Sequence, residues 1–170
     1  MAYFPLTKHQ LNWQERARDI ATRELAHRAA EVDRLGLFPT ESLEALRKDG
    51  LWGLRVDKEH GGLGEDMVTT CVIVEELSKK CPSTAMCYKM HLEGVEILSR
   101  IPTDYQVEKF VKPLAKGEIF SAAAGGESYG LTTPCRRPKW SAAGAQAVRN
   151  AQKTIPSCTC SFLLIPWQVR

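Results

Sequence analysis

Apolar residues recur at helical spacing through Ala17, Ile20, Ala21, Leu25, Ala29 and Val32, while Arg18, Arg23, Glu24, Arg28 and Glu31 occupy the other side. This pattern predicts an amphipathic helix over residues 11–32 that lays one face on a core. Phe38-Pro39 opens a shorter helix through Leu43 and Leu46, and Gly50 stands where a left-handed residue would end it. Asp66 is placed to cap a third helix running to about Lys80. Its centre, Cys71-Val72-Ile73-Val74, is Val-rich enough for a strand. Its length and the Glu75-Glu76-Leu77 continuation instead predict a buried helix. A fourth helix begins at Ser83 or Thr84, after Cys81-Pro82, and ends near Arg100. Thr103 and Gln106 make a capping box for the fifth, which ends near Lys116-Gly117. Five helices on short connections predict a mainly α bundle over residues 1–117. From Ile119 to Ala124 the residues turn small and extended, predicting the first strand of a new unit at 118–127.

The charge of the chain divides at the end of that strand. Residues 1–128 hold 17 Lys/Arg and 20 Asp/Glu; residues 129–170 hold six Lys/Arg and no Asp, Glu or His. So abrupt a change marks a boundary or a segment of different origin, and 128–170 reads as a divergent tail. Arg136, Arg137 and Lys139 are too short a cluster, without a known motif, to predict nucleic-acid binding. No stretch reaches the roughly 18 apolar residues of a membrane span. The six cysteines contain no Cys-x-x-Cys pair, and no charged segment leads into a long apolar run at the N-terminus. Together these predict a reduced, cytoplasmic chain with no membrane contact.

Most candidate chemistry in the chain has a simpler structural reading. The loop Val56–Gly64 is rich in glycine, but it lacks the Lys-Ser/Thr of a P-loop and the full Gly-x-Gly-x-x-Gly, so a structural turn is expected. Gly126-Glu127-Ser128-Tyr129-Gly130 matches the nucleophile elbow of hydrolases. No acid or histidine follows Ser128 to complete a triad, and that chemistry is excluded. Glu75 and Glu76 are neighbours on a helix and point about 100° apart, which predicts one buried, partnered carboxylate and one solvated one. His91, beside Met90 and Leu92, reads first as a satisfied structural histidine. No ligand spacing predicts a metal, and Cys158-Thr-Cys160 is too close-set for a zinc knuckle.

An ordered series of short motifs resembles the acyl-CoA dehydrogenase family. It runs Leu6-Thr7, Arg23-Glu24-Leu25, Glu31-Val-Asp33-Arg34, Phe38-Pro39 and Gly50-Leu51-Trp52-Gly53-Leu54. It continues with Glu59-His60-Gly61-Gly62-Leu63-Gly64, Val74-Glu75-Glu76-Leu77, Ser83-Thr84-Ala85, His91 and Leu114-Ala115-Lys116-Gly117-Glu118. No piece is decisive alone, but some ten in order over residues 6–127 carry the likeness. His60 stands where the family commonly has tyrosine.

The resemblance implies a helical N-terminal domain followed by the start of a middle β-domain at 118–127 and an irregular tail. It also implies an enzyme that uses FAD to take a proton and a hydride from adjacent carbons of an acyl-CoA thioester. Full-length members are expected to be homo-oligomers. The family's catalytic base usually lies on a C-terminal bundle, so no residue here is assigned that role. By resemblance, Ala123, Gly125 and Gly126 fall where the family's strand meets the flavin, with Glu127 matching a family glutamate. Gly126 replaces the usual threonine and Ser128 the usual proline. Met90, His91 and Gly94 fall on the helix that helps line the acyl pocket. A flavin monooxygenase of the same fold, or a non-catalytic helical module or gene remnant, are the alternatives. Beyond Glu127 the likeness stops, and a reading-frame change near residues 128–130 is expected. Resequencing the coding DNA and translating all three frames would test that expectation.

Overall fold

The chain is described here from a computed structural model, which covers residues 5–125 and 160–166. Thr7 and Gln10 start helix α1 (Lys8–Ile20) with a capping box: Thr7 Oγ1 accepts from the Gln10 N–H, and Gln10 Oε1 accepts from the Thr7 N–H at 3.0 Å. α1 runs on through a π-helical turn (Ala21–Leu25) into α2 (Ala26–Leu35). The inward stripe explains that turn. Trp13, Ala17, Ala21, Leu25, Ala29 and Val32 are buried or packed on the core. Five turns therefore take 19 residues, where about 3.6 per turn allows 18. One extra residue would swing the stripe about 100° off the core, and the wide turn absorbs it.

α3 (Thr40–Lys48) ends at Gly50, which has a φ of 78°, and α4 (Met67–Ser78) is capped by Asp66 accepting from the Thr69 N–H at 2.7 Å. The Val-rich centre of α4 is helical as expected, although Cys71 faces outward. α5 (Pro82–Ser99) starts at Pro82, one residue before the first expected position. At that position the missing proline N–H would have had no helical acceptor anyway. The Thr103–Gln106 box starts α6 (Asp104–Gln106), which passes through a second π turn (Val107–Val111) into α7 (Lys112–Lys116).

α1 lies on α4, α4 on α5, and α5 on strand β1 (Ile119–Gly125). The main core between them is centred on Ile20, Leu25, Leu46, Trp52, Ile73 and Tyr88; a smaller one holds Val95, Leu98, Val111 and Leu114. The α1–α4 seam carries the expected split of the two glutamates. Glu76 is buried and accepts from Arg18 and Lys79, while Glu75 faces solvent. Burial alone would raise the Glu76 carboxyl, but the two cations hold it below the usual range.

The loop before α4 is a structural turn. Its amides are used internally: Leu63 donates to the Gly53 carbonyl, Gly64 to Val56 and Glu65 to Leu54. Gly62 lies so close to the preceding strand of chain that a Cβ there would sit 2.1 Å from the Val56 carbonyl oxygen and 2.5 Å from its carbon. Backbone cannot yield as a side chain would. Gly62→Ala should therefore lower unfolding free energy by about 3 kcal/mol, read as a drop in urea midpoint. A change below about 0.5 kcal/mol would show that the approach is not so tight.

One segment departs from the expected irregular tail. Cys160–Pro166 forms strand β2, antiparallel to β1 from Ile119 opposite Pro166 to Gly125 opposite Cys160. The apolar run Phe162-Leu-Leu-Ile165 is visible in the sequence, but its partner lies some 40 residues earlier and pairing of that kind leaves no local signature. Gly126, Glu127, the Gly126–Gly130 motif and the expected frame change near 128–130 lie outside the described residues.

Candidate functional site

Antiparallel pairing gives β1 two backbone edges, because the N–H and C=O of one residue point to the same side and successive residues alternate. Pro166 has no N–H and stands opposite Ile119, as suits a pair that exchanges no hydrogen bonds. The odd residues of β1 accordingly turn their backbone away from β2, toward the helices. There the Ile119 carbonyl accepts from Trp52 Nε1 at 2.9 Å, and the Ser121 N–H donates to His91 Nδ1 at 3.1 Å. Ala123 and Gly125 continue the same edge.

His91 is brought to that edge by the buried stripe of α5, in which Tyr88, His91, Gly94, Val95 and Leu98 follow at helical spacing. Both ring nitrogens are engaged. Nδ1 receives the Ser121 N–H, so the proton must be on Nε2, which donates to the Trp52 carbonyl at 3.1 Å. The Ser121 hydroxyl stands 3.2 Å from Nδ1 and donates to the His91 carbonyl at 2.8 Å, tying strand to helix a second time. The imidazole is packed between rings: its centroid is 4.4 Å from that of Trp52, and it stacks on Phe120 at 5.3 Å and 17°. Tyr88 closes the far side, its hydroxyl donating to the Leu51 carbonyl at 2.7 Å.

This enclosure sets the charge of the site. His91 is 0% exposed, and burial pushes its pKa down to about 4, against the pull of the Trp52 carbonyl. Burial likewise raises Tyr88. The site is neutral at pH 7 and offers no proton to solvent. Gly94 lets the helix come this close, since a Cβ there would be 2.8 Å from the Ser121 Oγ and 3.0 Å from its Cβ.

Of the residues expected on the acyl side, His91 and Gly94 thus lie in the α5–β1 contact, while Met90 is half-buried on the adjoining flank of α5. Ala123 and Gly125 lie on β1, and Gly126 is beyond the described residues. The site also depends on Trp52, Phe120 and Ser121, which sequence reasoning did not single out. Trp52 entered only as part of a motif, and a serine in a run of small residues carries no signal. Two surface cavities of about 300 and 360 Å³ lie by Phe38 and Ser42 and by Arg16 and Asp49; the first adjoins the site through Phe38, whose ring meets Phe120 edge-on at 6.0 Å. Among the described residues no three His, Cys, Asp or Glu side chains are grouped to hold a metal, and no helix is long and apolar enough to cross a membrane.

The helical domain thus hands its chain directly into a sheet and pins the first strand of that sheet by its backbone edge. The pattern described as the acyl-CoA dehydrogenase N-terminal domain matches residues 7–118. The chain is 35% identical over 132 residues to the short-chain-specific acyl-CoA dehydrogenase of Clostridium acetobutylicum, covering 77% of this chain and 33% of that protein. Butyryl-CoA dehydrogenase from Megasphaera elsdenii superposes with a TM-score of 0.62 at 27% identity, covering 69% of this chain and 32% of that one. A chain solved in work on the electron transferring flavoprotein of Acidaminococcus fermentans gives 0.67 at 25%, covering 75% and 34%. The chain belongs to the acyl-CoA dehydrogenase family. It spans about a third of the length of the curated relatives it matches.

Proposed function

We propose that this chain is the N-terminal portion of an FAD-dependent oxidoreductase acting on the CH–CH group of acyl-CoA thioesters. The observation that carries the reading is the outward edge of β1. The edge is held by Trp52 and His91 at Ile119 and Ser121, then continues into Ala123 and Gly125, where the side chains are small or absent. Backbone N–H groups in such a run approach a planar ring system closely. The donor set suits a flavin, which is recognised largely by backbone and apolar contacts. FAD held there supplies the acceptor for substrate hydride. The residues of this chain bind and exclude water: Ala123 and Gly125 on β1 belong to the flavin side, Gly126 is assigned to it by resemblance alone, and Met90 on α5 belongs to the acyl side. His91 and Gly94 serve that side by seating the strand. We assign no catalytic residue among those described.

With about a third of the relatives' length present, the purified chain should bind FAD weakly or not at all. Titrating FAD into ¹⁵N-labelled chain should move the amides of Ala123, Gly125 and Gly126 only at high FAD, without saturating. Recovery of a stoichiometrically yellow protein would refute the weak-binding expectation. Shifts confined to residues remote from β1 would refute the assignment of the edge.

A further inference from the structure

We infer that His91 is a positioning residue for the flavin-facing strand: its Nδ1, by receiving the Ser121 N–H, fixes where the outward edge of β1 lies relative to α5. The inference rests on the flavin reading for its purpose, though not for its geometry. Three observations converge on it. The edge is held at only two described points before Ala123, and both pass through the same cluster. Trp52 Nε1–H takes the Ile119 carbonyl, while the Trp52 carbonyl in turn takes the proton of His91 Nε2. The His91 tautomer is therefore dictated from a loop 39 residues away, and only that tautomer leaves Nδ1 free to accept. Finally, at Gly94, one turn on, a side chain would press on Ser121, and the glycine leaves that space open. A histidine serving only as filler would need neither the oriented nitrogen nor the adjacent glycine. Among the described residues the groups facing the ring are Trp52, Tyr88, Phe120 and Ser121, none of them charged.

The test separates the two nitrogens. Asparagine presents its Oδ1 near the place of Nδ1, and glutamine presents its terminal amide near the place of Nε2. His91→Asn keeps an acceptor for Ser121; His91→Gln keeps a donor for Trp52. Both lose the stacked ring. Amide hydrogen exchange on the full chain at pH 7 should show Ser121 about tenfold faster in His91→Gln than in His91→Asn, once corrected for global stability. Equal protection in the two variants, or acceleration spread evenly through α1 to α4, would overturn the inference. Should either variant fail to fold, the imidazole ¹⁵N shifts of the wild-type chain decide. A neutral ring with its proton on Nε2 supports the assignment, and a proton on Nδ1 overturns it. FAD added to the wild type tests the other half. If FAD moves amides remote from β1 and leaves Ala123 and Gly125 unchanged, the flavin reading falls while exchange and tautomer still judge His91.

Discussion

Replacing Trp52 with alanine should leave the chain at the edge of folding. The indole is 1% exposed and packs on His91, Phe120 and Tyr88 at centroid distances of 4.4, 5.8 and 6.5 Å. Emptying such a site costs about 3–5 kcal/mol through lost transfer energy and the cavity left behind. The Ile119 carbonyl also loses its donor at 2.9 Å, which adds roughly 1 kcal/mol or more if no water replaces it. The total approaches the whole stability of a small domain, about 5–15 kcal/mol. Trp52→Phe separates the two contributions. It keeps most of the packing and should lose only about 1–2 kcal/mol, mainly the hydrogen bond. Far-UV circular dichroism through a urea titration reads both. If Trp52→Ala keeps a midpoint close to wild type, the indole does not bridge the helices and β1 as described.

What the sequence made legible was local chemistry. Asp66, the Thr103–Gln106 box and the glycines at 50 and 117 mark helix ends through bonds within a few residues, and these expectations met the structure. The Glu75–Glu76 split was also readable, since adjacent positions on a helix cannot share a face. The extra residue in the 13–32 stripe leaves no local mark, because each step of three or four looks helical by itself. The site was less legible for a different reason. Its parts come from a loop at 52, a helix at 91 and a strand at 120–121, and no spacing connects them. The resemblance pointed to His91 and Gly94 as neighbours of an acyl chain. Their role in holding β1 depends on Ser121, 30 residues on, and only coordinates bring that residue to the ring.

The buried imidazole should also make stability depend on pH above the range in which the carboxylates titrate. His91 binds its second proton at about pH 4 when folded and near 6.5 when unfolded. Below about pH 6.5 the unfolded chain therefore holds more protons than the folded one, and stability falls as pH falls. The loss should reach about 2.5 kcal/mol by pH 4.5. The carboxylates act lower. Glu76 keeps a depressed pKa despite its burial, and Glu96 and Asp66 are held down by Arg55 and by the Thr69 N–H. What these groups contribute is present above the ordinary carboxylate pKa and is lost only as pH drops through their depressed values. The loss between 6.5 and 4.5 is thus the one that His91 contributes, and His91→Asn isolates it. The variant should be less stable at pH 7 yet lose about 2.5 kcal/mol less than wild type across that interval. Parallel urea-midpoint curves for the two proteins would mean that the ring is not buried in its neutral form. Divergent curves would carry a structural consequence. A second proton on Nδ1 would face the Ser121 N–H donor to donor, so the first contact to open on acidification should be the one between α5 and β1.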